Sequence, residues 1–138
     1  MSGQSERKKG NNMADCKKRP QILEGETIEY ETGCGDIYIT VNFLDGKIFE
    51  VFAQLGKAGG CAASHTQAIA RAVSIALRSE VSPEKLAKQF MGISCHKAIR
   101  EPTVKKEDEI LSCSDAIGKA LMKCINDLKK EVKKTSNN

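Results

Sequence analysis

The chain has 138 residues, 40% of them apolar, 4% aromatic and none tryptophan, which suits one domain whose core rests on Ile, Leu, Val, Ala and Met. No run approaches the roughly 18 apolar residues of a membrane span, and the opening residues lack the apolar stretch of a secretory signal. The net charge of +4 sits at the ends, since residues 1–19 and 119–138 each hold six basic residues against two acids.

Basic ends of this kind read as solvated tails. A nucleic-acid-binding domain carries its basic stripe on the folded part, so no nucleic-acid partner is expected. No membrane partner is expected either, and a cytoplasmic setting is.

In chain order, residues 1–21 have little apolar surface to bury and are expected to form a disordered basic tail. A single domain over 22–134 and a frayed tail over 135–138 follow. Thr27-Ile28-Glu29-Tyr30-Glu31 alternates and predicts a short strand. Ile37, Ile39, Val41 and Phe43 then share one face. Asp45-Gly46 supplies a two-residue turn, and Phe49, Val51, Ala53 and Leu55 share a face of the next run. Together these predict a β-hairpin over 36–55, with Asp36 opposite Leu55. Glu24, Glu26, Glu29 and Glu31 read as a solvated face.

After a glycine-rich break, Ala68, Ile69, Ala72, Val73, Ile75 and Ala76 predict a helix. Its polar side carries Ser64, Gln67, Arg71, Ser74 and Arg78. Ser82-Pro83 starts a second helix, to about Met91. Residues 94–110 read as loop. Ser112-Cys113-Ser114-Asp115 reads as a capping box with Asp in the usual Glu position. It opens a third helix with Ile117, Leu121, Cys124, Leu128 and Val132 on one side. Strands followed by helices give the α+β class: a small antiparallel sheet built on the hairpin, with about three helices packed on it. An uncovered sheet edge makes a homo-oligomer the expectation.

The six cysteines divide by position. Cys16 lies in the tail, and Cys124 lies on an apolar helix face where a small buried thiol is ordinary. Cys34, Cys61, Cys95 and Cys113 each stand at the end of an element. The hairpin register sends Cys34 and Cys61 out of the same end of the sheet. Four thiolates brought together would suit tetrahedral Zn²⁺. The spacing lacks a C-x-x-C knuckle, so buried free thiols stay open. Redox thiols also stay open, with Cys61 and Cys113 at helix N-termini and His96 available as a substitute ligand.

The turn Gly56-Lys57-Ala58-Gly59-Gly60 precedes a helix start, where glycine amides and the helix dipole favour an anion. Lys57, Gly59, Gly60, Ser64, His65, Thr66 and Arg71 are the candidate ligand-binding residues, for a phosphate or nucleotide. The turn is neither a Walker A loop nor a dinucleotide fingerprint. Its alternative role is to turn the chain and aim Cys61. Two histidines and scattered acids assemble no acid–base or nucleophilic constellation, so no catalytic residue is expected.

Several of these blocks, taken in order, resemble a known family. Thr32-Gly33-Cys34-Gly35-Asp36-Ile37-Tyr38-Ile39 is followed by Phe49-Glu50-Val51-Phe52 and Leu55-Gly56-Lys57-Ala58-Gly59-Gly60-Cys61. Met91-Gly92-Ile93-Ser94-Cys95 and Leu111-Ser112-Cys113-Ser114-Asp115-Ala116-Ile117 complete the series. Over about 22–125 the chain resembles the TSCPD domain, the C-terminal accessory domain of adenosylcobalamin-dependent ribonucleotide reductases. Leu111 and Ser114 stand where that family's motif usually has Thr and Pro, so any role tied to the proline does not transfer.

The resemblance implies that Cys34, Cys61, Cys95 and Cys113 are the shared cysteines and favours structural zinc. It also implies that cobalamin and the radical chemistry belong to a separate catalytic barrel, with no counterpart in this sequence. A freestanding, non-catalytic, zinc-binding module that binds a nucleotide or phosphate, for regulation or sequestration, is the first expectation. An accessory subunit that docks on the catalytic subunit of a split reductase is the second. A thiol redox partner is the third.

Overall fold

The computed structural model describes residues 16–56, 60–106 and 108–137. Three strands come first: β1 (Glu24–Thr32), β2 (Gly35–Leu44) and β3 (Lys47–Leu55). Three helices follow: α1 (Cys61–Arg78), α2 (Pro83–Phe90) and α3 (Cys113–Ser136). The strands form one antiparallel sheet in the order β1-β2-β3, so the α+β expectation holds. β1 is longer than its alternating five residues, because it pairs with β2 from Glu24↔Phe43 to Thr32↔Gly35. α3 likewise continues through Ser136, past the point where fraying is expected.

The hairpin shows how turn chemistry and apolar pattern are reconciled. Asp45 and Gly46 adopt positive φ values of 52° and 75°, as a tight two-residue turn requires. That turn sets Leu44↔Lys47 and Phe43↔Ile48. Continued unbroken, this register would put the apolar rows of β2 and β3 on opposite faces. A bulge at Asn42/Phe43 takes up one residue, and Val41↔Val51, Ile39↔Ala53 and Ile37↔Leu55 then match. Ile37, rather than Asp36, lies opposite Leu55.

These matched rows are the floor of the core. Ile37, Ile39 and Val41 are fully buried and cluster with Ile117, Ala120 and Leu121 of α3. Helix α1 lies along β3 and buries Thr66, Ala70, Val73 and Leu77, so of the predicted stripe only Val73 is buried while Ala68, Ala72 and Ile75 are exposed. The helix is turned so that Ser74, on the side read as polar, faces the strand. Its Ser74 also seals the strand edge: the hydroxyl donates to Val51 O (2.8 Å) and accepts from Val51 N (3.0 Å). Helix α2 packs on α3 so closely that a Cβ on Gly118 would stand 2.8 Å from Ala87 O.

Of the expected basic tail over 1–21, residues 1–15 lie outside the described residues; residues 16–21 carry no helix or strand but contact the folded part. Lys17 N donates to Arg78 O (3.0 Å). The Arg19 guanidinium meets the buried Glu50 carboxylate at 2.9 Å, and Asn42 donates to the same carboxylate at 2.8 Å. Among the described residues, no helix is long and apolar enough to cross a membrane.

Candidate functional site

Two connections meet at one end of the sheet, and between them they bring three cysteines. Cys34 lies in the β1–β2 turn, Cys95 in the loop between α2 and α3, and Cys113 at the first turn of α3. The turn is shaped by Thr32, a buried residue whose hydroxyl donates to Gly35 O (2.7 Å) and accepts from Cys34 N (3.2 Å). The same hydroxyl lies 4.0 Å from Cys113 Sγ. Gly33 lets the turn press against the α2–α3 loop, since a Cβ there would collide with Lys97 O at 1.8 Å. That loop folds locally around Cys95: Lys97 N donates to its sulfur at 3.5 Å and His96 Nδ1 lies 3.8 Å from it.

A buried carboxylate holds the two later cysteine segments in place. Asp115 is fully buried and accepts from Gly92 N (2.8 Å) and Leu111 N (2.9 Å). Lys119 Nζ closes the charge at 2.7 Å and also donates to Glu109 O. Ser112 caps α3 by accepting from Asp115 N (3.0 Å), and its hydroxyl donates to Ile93 O (2.6 Å). Cys95 N donates to Leu111 O (3.0 Å). The expected capping box is thus modified. Its serine half forms, while the Asp115 side chain reaches past the cap to Leu111 and Gly92. Neither the Thr32 nor the Asp115 role was read from the sequence. A Thr two residues before Cys34 and an Asp at the third helix position were the available signals.

Burial pushes the Cys34 thiol up from its ordinary value; the nearby Cys113 and Cys95 thiols add to this, opposed by Lys97. Negative charge is therefore unwelcome on Cys34 until a cation joins the cluster. Cys61 stands apart: it is exposed at the start of α1, and among the described residues no hydrogen bond links it to the other three. Nor, among the described residues, does any group of three or more His, Cys, Asp or Glu side chains converge closely enough to hold a metal ion. The donor chemistry still fits zinc, with three thiols from separate segments gathered at one end and an imidazole beside one of them.

The residues expected to cradle an anion are less gathered. Lys57 and Gly59 lie outside the described residues. Gly60 is the N-cap of α1, with φ 85° and no side-chain cap. Ser64 donates to Cys61 O (3.0 Å), and the buried Thr66 donates to Ala62 O (2.7 Å). Both hydroxyl protons are therefore committed to the helix backbone. His65 is exposed near the helix start. Arg71 is exposed ten residues into α1, about 15 Å along its axis at the usual helical rise. There it lines a groove with Tyr38 and Phe52 of the sheet.

The model of one protein family, the TSCPD domain, matches residues 7–125. No curated protein and no solved structure matches the chain.

Proposed function

Given that the chain belongs to the TSCPD domain family, we propose that it is an accessory module working beside a ribonucleotide reductase catalytic chain, its connections held by zinc. The observation that supports the zinc reading is that Cys34, Cys95 and Cys113, far apart in sequence, are gathered at one end of the sheet, short of ligand distance. Cys61, reached from the glycine-rich turn, would be the fourth ligand, with His96 as its substitute. Zinc has no redox chemistry of its own and would act structurally, favouring the thiolate form that burial disfavours at Cys34.

Nucleotide or phosphate binding at the start of α1 ranks second. The uncapped amides there and His65 support it, whereas the committed hydroxyl protons of Ser64 and Thr66 weaken it. Native mass spectrometry with metal analysis of anaerobically purified protein tests both readings. One zinc per chain is expected, lost in Cys34→Ser and Cys113→Ser and kept in Cys16→Ser. A metal-free, fully folded protein would defeat the zinc reading. Retained mass of nucleotide size would promote the second reading. Co-elution with an adenosylcobalamin-dependent catalytic chain lacking its own module is expected, and separate elution at all concentrations tested would defeat the accessory role.

A further inference from the structure

One face of the sheet is packed; on the other, among the described residues, Arg19 covers the Asn42–Glu50 row and two further rows are bare. Strand register places Glu29, Tyr38 and Gln54 in one of these rows, and Thr27, Thr40 and Phe52 in the next. Tyr38 OH donates to Glu29 (3.2 Å), and the Thr27 and Thr40 hydroxyls pair at 2.8 Å, so the rows are ordered. Phe52 is nevertheless 52% exposed, and Ile75 of the adjoining α1 is 59% exposed. With Arg71 they line a groove of about 570 Å³. An exposed aromatic on the edge strand of an ordered sheet face, beside an exposed Ile of the adjoining helix, marks a surface that gains by being covered.

Charge selects what covers it. On the β1 flank, Glu29 and Glu31 are exposed, and Asp36 stands opposite Glu31. On the α1 flank, Arg71 is exposed and, among the described residues, makes no ion pair. A polyanion would meet the glutamates, and a purely basic partner would meet Arg71. A surface acidic on one flank, basic on the other and apolar between is complementary to itself under a two-fold rotation. The β3 edge is already sealed by Ser74, so this face offers more to a second copy than that edge does.

We propose that these bare rows of the sheet form a homodimer interface, with Phe52, Tyr38 and Ile75 of two copies packing about a two-fold axis. Arg71 of each copy pairs across it with the Glu29–Glu31 flank of the other. The proposal is independent of metal binding. Sedimentation equilibrium of the full chain over a concentration series tests it. A dimer is expected for the unaltered chain, and Phe52→Glu and Ile75→Glu should each yield a folded monomer, with circular dichroism unchanged because both sites are half-exposed or more. Arg71→Glu alone and Glu31→Arg alone should each weaken the dimer about tenfold, and the double swap should recover most of that loss. A monomer at every concentration would overturn the proposal. So would a dimer indifferent to Phe52→Glu, or a double swap no tighter than the single variants.

Discussion

Asp115 does more than its place at the start of a helix suggests. It is fully buried, accepts two loop amides and is paired with Lys119. Asp115→Asn keeps the shape, removes the charge opposite Lys119, and can turn an NH₂ group toward an amide donor. A loss of about 3–5 kcal/mol is expected, as for breaking a buried pair, and denaturant unfolding would measure it. The helix-start role was legible in Ser112-x-x-Asp115. The contact to Gly92 was not, because sequence spacing carries no information about a partner 23 residues away. Cys124 was fully legible as a buried thiol on an apolar helix face. It is 1% exposed, and burial, then the Glu26 carboxylate, pushes its thiol from 9.0 to about 11. The folded thiol keeps its proton where the unfolded one loses it. Its stabilising contribution is therefore complete below about pH 9 and disappears as pH rises through about 11. Raising the pH from 8 to 10.5 should cost the unaltered protein about 1–2 kcal/mol more than Cys124→Ala, as followed by urea unfolding.

At the scale of elements, the hairpin was legible because a period of two and an Asp-Gly turn are local signals. Its register was not, because two local demands conflict there. The turn dictates one pairing, the apolar rows dictate the next, and a bulge satisfies both. Phe49, the residue taken up by the bulge, remains buried, with the Arg78 guanidinium 5.6 Å from its ring centre. Ser74 read as part of the polar side of α1, whereas its hydroxyl closes the open edge of β3. Ser74→Ala leaves Val51 N and O without that partner. A loss of about 1–2 kcal/mol is expected from urea unfolding, with a greater tendency to aggregate as the edge is bared.

For the whole molecule, Cys34, Cys95 and Cys113 belong to two connections far apart along the chain, β1–β2 and α2–α3, and Cys61 belongs to a third, β3–α1. A metal held there would tie the sheet to α3 and the α2–α3 loop at once. Stripping it with a chelator is expected to lower the Tm by about 10 °C or more, with recovery on adding zinc back. Cys34→Ser should show neither response in thermal scans, since a cluster lacking one ligand has little left to lose.

Although the apolar stripe read for α1 fails, with only Val73 of it buried beside Thr66, Ala70 and Leu77, the fold class, the turn, the helix starts, the buried faces of β2, β3 and α3, and the family were all present in the sequence. All of these rest on residues a few positions apart or on ordered blocks. The bulged register, the Asp115 hub, the face that α1 buries, the placing of Cys34, Cys95 and Cys113 at one end of the sheet with Cys61 exposed, and the exposed aromatic rows came from the fold alone. Those depend on how distant segments share one volume, and that is settled by packing and burial rather than by periodicity.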